Sequence, residues 1–182
     1  MASFVARMVG AARLEPAIYE EVEADRTATG QAMGVVVLSS LAMGIGALGS
    51  GEAGFVGGVL TGLVGWVVWA FLTWIIGTKM LPEPGTSSDM GELLRTLGFA
   101  SAPGLLRVFG WVPIVGGFLT MVALVWMLVA TVVAVRQALD YTSTGRAVLV
   151  CVIGWFVNLV VTIWAAALFG IALFGLFGTR TM

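Results

Sequence analysis

Few side chains in this sequence could do chemistry. The chain carries ten carboxylates, nine Lys or Arg, one cysteine and no histidine. Without imidazole, Ser–His and Cys–His nucleophile pairs are closed to it, as are zinc, haem and chlorophyll sites that rely on histidine. Cys151 stands alone, so it has no disulfide partner in the chain. Asp89 and Glu92 stand three apart and could be taken for a metal pair, but no further ligand is near them. Their spacing before an apolar run fits a reciprocal helix cap. Glu20, Glu21, Glu23 and Asp25 make one face of a short helix acidic, either a solvated face or a docking surface for a cytosolic partner. Asn158 is the one strongly polar residue deep in an apolar run. There it would hydrogen-bond a neighbouring helix or line a transport path. No P-loop, dinucleotide-binding turn or zinc-protease motif occurs, and no basic run suggests nucleic acid. These residues give no catalytic, cofactor-binding or metal-ligating assignment.

The elements that would position them are set by composition. Of 182 residues, 59% are hydrophobic and 10% charged, with a mean hydropathy of +1.04. Soluble domains carry about 25% charged residues, and a chain of this length cannot hide so much apolar surface from water. The lipid bilayer must be the solvent. The sequence predicts an all-α fold, a polytopic transmembrane helical bundle of about five transmembrane helices with a kinked or re-entrant third segment.

Residues 1–29 read as a cytosolic segment. Phe4, Val5, Met8, Val9 and Ala12 fall at helical spacing and would suit a short helix lying among headgroups. The opening apolar stretch is too short for a signal-peptide core, so no cleavage is expected. Pro16 can begin a second helix, the acidic one. Residues 30–178 form the transmembrane domain, with spans at about 31–49, 55–78, 92–110, 111–135 and 147–173, and residues 179–182 are a tail.

In the first span, Ala42 and Gly46 lie four apart, and Thr27 or Thr29 can cap its start. In the second, Gly54, Gly58 and Gly62 repeat every four residues, the small-residue spacing that lets helix backbones approach closely within a chain or between copies. Trp74 suits an interfacial anchor, and Trp66 is deep enough to pack instead. Ala147 to Phe177 is one uncharged run, longer than a straight crossing needs, so a tilt, a bend near Gly154 or Gly170, or an end past the membrane is expected.

The stretch 91–117 decides the topology. Pro103 removes a helical hydrogen bond and its ring clashes with the preceding turn. Gly98, Gly104, Gly110 and Pro113 add flexibility, and Pro103, Gly104 and Pro113 are the expected hinge. Residues 92–110 are therefore a kinked span or a re-entrant or surface helix. Lys and Arg prefer cytoplasmic loops. With five spans, Arg7, Arg13, Arg26, Lys79, Arg95, Arg136 and Arg146 lie inside, against Arg107 and Arg180 outside. With four spans the balance is the same, so charge places the N-terminus in the cytoplasm and leaves the span count open.

The order of these features resembles the YIP family, the Ypt/Rab-interacting membrane proteins, and its bacterial members above all. The resemblance rests on RLEPAIYEEVEADRTATGQA before the first span, ELLRTLGFASAPGLL in the centre and RQALDYTSTGRAVLVCVIGW joining the last pair. It implies five transmembrane helices with the termini on opposite sides. Eukaryotic members associate with prenylated Rab-type GTPases and with one another in traffic between ER and Golgi. The single Lys against eight Arg and the short N-terminal segment look bacterial. A bacterium has no such traffic, which argues against carrying the GTPase partner over. The resemblance implies no catalytic residue.

The expected function is that of a non-enzymatic scaffold in the bacterial inner membrane, organising membrane through helix–helix and protein–protein contacts with itself, as a homo-oligomer, or with other membrane proteins. The alternatives are an accessory subunit of a larger membrane complex and a small-solute transporter or channel.

Overall fold

The computed structural model describes residues 2–47 and 55–178, and every regular element among them is helical. Two short helices, α1 (Phe4–Ala12) and α2 (Pro16–Ala24), precede α3 (Thr29–Gly46). Next come α4 (Phe55–Ile75), α5 (Met90–Phe99), a 3-10 segment (Ala102–Trp111), α6 (Val115–Ala138) and α7 (Thr144–Gly178). Among the described residues, four helical stretches are long and apolar enough to cross a membrane: Arg26–Gly46, Gly62–Met80, Val115–Ala138 and Thr144–Val161.

The helix ends follow local chemistry. Neither Thr27 nor Thr29 caps α3 with its side chain. Asp25 caps instead, accepting from the Thr27 amide (2.9 Å) and hydroxyl (2.6 Å) at the start of a 3-10 turn, Arg26–Ala28, that runs into α3. Both threonine hydroxyls point back up the chain, Thr27 donating to Asp25 and Thr29 to the Arg26 carbonyl (3.3 Å). Asp89 and Glu92 form the reciprocal cap of α5, each side chain accepting from the other's amide at 2.8 Å. Both α1 and α6 end in Schellman turns, with Leu14 (φ 63°) and Asp140 (φ 53°) in the left-handed position usually held by glycine. Helix α7 is one uninterrupted helix of 35 residues, about 52 Å long at 1.5 Å per residue. It is not broken at Gly154, which packs against Trp69 and Ile76.

The third segment crosses the bundle. Its contacts climb α3 in register: Gly98 against Ala32, Gly104 against Ser39, Gly110 against Gly46. The glycines recur every six residues, the second step being two turns of the 3-10 helix, and their α3 partners every seven, about two turns of an α-helix. One stripe on each element therefore faces the other. A Cβ added at Gly98 would lie 2.7 Å from the Ala32 Cβ, and one at Gly110 would lie 3.1 Å from the Gly46 Cα. These glycines serve close packing, where the sequence had suggested flexibility. Pro103, at the start of the 3-10 segment, supplies the break from α-helix. The looser winding also adds reach. Ten α-helical and ten 3-10 residues extend about 35 Å, enough for a hydrocarbon core of ~30 Å.

The chain thus passes five times between two ends. The near end holds α1, α2, residues 81–89 and the α6–α7 turn, where Thr142 donates to Glu83 from its amide and hydroxyl, both at 2.8 Å. The far end holds the α3 C-terminus and the turn into α6. That turn is a strained γ-turn: the Val115 amide donates to the Pro113 carbonyl (2.8 Å) and Ile114 has φ 70°. Ile114 is 99% exposed, beside exposed Trp111, Val115 and Phe118, a cluster suited to a membrane interface.

Candidate functional site

Two polar assemblies stand out from the apolar bundle. The first builds the cap at the near end. Arg7 of α1 is 1% exposed and reaches Glu21 (2.9 Å) and Asp25 (2.8 Å), and it also donates to Gln31 of α3 at 3.1 Å. Arg95 of α5, also buried, donates to the carbonyls of Val22 and Glu23 at the C-terminus of α2. A cation there satisfies orphan carbonyls and suits the negative end of the helix dipole. Trp126 Nε1 (2.7 Å) and the Tyr19 hydroxyl (3.0 Å) donate to the last carbonyls of α1, Ala12 and Ala11. Two arginines and Trp126 therefore fasten α1 and α2 to the bundle, and Tyr19 ties the two helices to each other.

The four acidic residues singled out in sequence divide among these contacts. Glu21 and Asp25 are engaged by Arg7, and Glu20 accepts from Gln137 Nε2 at 2.9 Å. Glu23 is half-buried. Burial first, then the Asp140 and Glu92 carboxylates, push its carboxyl up to about 7 against the pull of Arg95. The Thr27 hydroxyl first, then Arg7, hold Asp25 down to about 2. Glu20 also lines a cleft of about 340 Å³ with Arg136, Gln137, Asp140 and Tyr141.

The second assembly lies within the bundle. Arg107 of the 3-10 segment donates to the Gly104 carbonyl (3.1 Å), the Ser39 carbonyl (3.2 Å) and hydroxyl (2.7 Å), and to Met43 Sδ (3.3 Å). It borders a cavity of about 260 Å³ between α3, α4, α5 and α6, into which Ser40, Ser101, Thr131 and Trp66 also face.

The remaining expected residues are placed as follows. Gly46 packs on Gly110 and the Arg107 carbonyl, and Gly62 packs on the Ser40 hydroxyl, both within one chain. Ala42 is buried on α3. Gly54 lies outside the described residues, and Gly58 is described only as part of α4. Pro103 and Gly104 open the 3-10 segment, and Pro113 precedes the strained turn into α6. Asn158 is half-buried on α7 and engaged in an interaction. Trp66 Nε1 donates to the Leu94 carbonyl (3.0 Å) and Trp74 Nε1 to the Ser88 carbonyl (3.1 Å). Sequence reasoning used Arg7, Arg95 and Arg107 only as topological charges and missed their roles. The one available sign was an arginine on either side of an uncharged stretch, twelve residues apart.

Four apolar helices and a fifth passage of mixed α and 3-10 helix, capped at one end by two short helices, define a polytopic integral membrane protein. A family model for the Yip1 domain matches residues 17–166, from α2 to well into α7, and the chain belongs to that family. No curated protein and no solved structure matches the chain.

Proposed function

We propose that this member of the YIP family is a non-enzymatic membrane-organising scaffold, working through the rigid cap and through its lipid-facing helices. The observation that carries this is the fastening of α1 and α2 by the buried Arg7 and Arg95. A loose N-terminal tail would lose most of its binding energy to ordering, whereas a pre-ordered surface does not. The outer side of the cap presents Glu20, Gln137, Asp140 and Arg136 around the cleft, a polar surface suited to a protein partner. The excess of Arg and Lys at the cap end supports a cytoplasmic orientation of the cap, and the composition supports a bacterial inner membrane as its site. The exposed apolar faces of α4, α6 and α7 would take lipid or other helices, including a second copy.

Extraction in native-lipid discs, followed by mass measurement, tests the reading. A scaffold is expected as a homo-oligomer or with a stoichiometric membrane protein. A chain that is always monomeric and alone would overturn the scaffold. Co-isolation with a fixed set of foreign subunits would turn the reading to an accessory subunit. A second reading, a small-solute transporter, rests on the cavity beside Arg107, and uptake into liposomes would favour it.

A further inference from the structure

We infer that the cavity beside Arg107 is a binding site for a phosphate-type anion within the membrane. Three observations carry this. First, among the described residues no carboxylate pairs with the guanidinium. Its acceptors are two carbonyls, one hydroxyl and one thioether, all neutral. A lone charge at this depth is expensive, and such residues mark ligand or ion sites.

Second, the side chain points the wrong way for an unoccupied arginine. The Arg107 backbone lies at the far end, where its carbonyl meets Gly46. The guanidinium turns inward to Ser39, seven residues or about 10 Å deeper along α3. An arginine near an interface ordinarily snorkels toward water. This one is tethered away from it by Ser39 and Gly104.

Third, the space it borders has the chemistry of an anion site. Ser40 brings a hydroxyl and Trp66 and Trp69 an aromatic wall, the Ser101 and Thr131 hydroxyls donating to the Leu97 (3.4 Å) and Met127 (2.8 Å) carbonyls, and the cavity's 260 Å³ suits a headgroup rather than a whole lipid. Arg107 has five N–H donors, of which three meet oxygen and a fourth meets only sulfur, a weak acceptor. A phosphate could take the fifth donor and displace the thioether, both on Nη1, in charge-assisted hydrogen bonds that leave the Gly104 and Ser39 contacts in place. Met43, on the rim, is 42% exposed, which leaves the cavity open at that edge.

The phosphate can belong to a lipid headgroup or to a free anion, and one experiment separates these. The full-length protein is purified in a maltoside detergent and washed free of lipid. It is then offered either phosphatidylglycerol or inorganic phosphate. Native mass spectrometry counts bound lipid, and thermal denaturation reads stabilisation. Arg107→Gln removes the charge. Gly65→Leu adds bulk at the α4 wall of the cavity, where an added Cβ meets nothing within 4 Å. Arg13→Gln, an exposed cation on the cap, is the control.

Retention of phosphatidylglycerol by the wild type and by Arg13→Gln, weakened roughly 10- to 100-fold in both cavity variants, supports a lipid headgroup. Stabilisation by inorganic phosphate, lost in both variants without any lipid retention, supports a free anion. If Arg107→Gln does not fold, Gly65→Leu decides by itself. Equal binding by wild type and Gly65→Leu, or no binding by the wild type, would overturn the site.

Discussion

At the scale of single residues, the fold is governed by its buried arginines. Arg7 answers two carboxylates and a glutamine from two other helices. Removing one partner of such a buried pair leaves charge behind without compensation, at a cost of about 3–5 kcal/mol. Arg7→Ala is accordingly expected to free α1 and α2 while α3 to α7 stay folded. Hydrogen exchange in lipid discs should show protection lost between residues 4 and 24 alone. Unchanged protection there would mean that apolar contacts hold the cap.

The cap should also respond to pH in a definite direction. Glu23, raised to about 7, binds its proton more tightly in the folded cap than in the unfolded chain. Its stabilising share is whole below its ordinary value of 4.5 and is lost as pH rises toward about 7. Asp25 and Glu21 act in the opposite sense, their carboxyls lying below the ordinary value. Their share is present above the ordinary carboxylate range and is lost as pH falls below it, for Asp25 down to about 2. Cap stability should peak near pH 5 and fall on both sides. Exchange rates of α2 amides, corrected for intrinsic pH dependence, would check this. Glu23→Gln should abolish the decline above pH 5, and stability that keeps rising to pH 8 in the wild type would contradict the assignment.

These residue roles were hard to read from the sequence. The acidic run from Glu20 to Asp25 looked like an outward face because its partners are remote in the chain: Arg7 lies 18 residues before Asp25, and Arg95 lies 73 after Val22. Local reciprocity, as between Asp89 and Glu92, was legible because both partners sit within one helical turn.

At the scale of elements, the α3–3-10 contact is the structural centre. A six-residue glycine repeat meets a seven-residue repeat of Ala32, Ser39 and Gly46, and backbone lies against backbone at the far end. Gly110→Val would place side-chain carbon against the Gly46 main chain, which has no rotamer with which to yield. Overpacking costs about 1–3 kcal/mol where side chains can shift, and here the loss should be at the upper end of that range or beyond. Gly65→Ala, with open space around it, should be neutral or slightly stabilising. Thermal denaturation in detergent compares the two, and equal losses would mean that the register is wrong.

Four apolar helices were evident from hydrophobicity alone, because each is uncharged over most of a bilayer's thickness. The fifth passage was not, because it carries Arg95 and Arg107 and is only part α-helix. Pro103 marked the break. The six-residue spacing of Gly98, Gly104 and Gly110 was visible too, but it has meaning only once the face it packs against is known. The four-residue repeat ending at Gly62 was plain in sequence, yet whether it served packing within one chain or between two was not. Gly62 itself meets Ser40 of its own chain.

At the scale of the whole molecule, everything depends on whether the α5–3-10 segment traverses the membrane. The register along α3 requires it to, and that places the cap and the end of α7 on opposite sides. The measurement uses Cys151→Ser as background, with single cysteines at Gly85→Cys in the near-end loop and Ile114→Cys in the far-end turn. Both positions are exposed. A membrane-impermeant maleimide is applied to vesicles of known and of inverted orientation. Five passages predict that the two cysteines react from opposite sides of the membrane. Labelling of both from the same side would make the segment re-entrant and contradict the account.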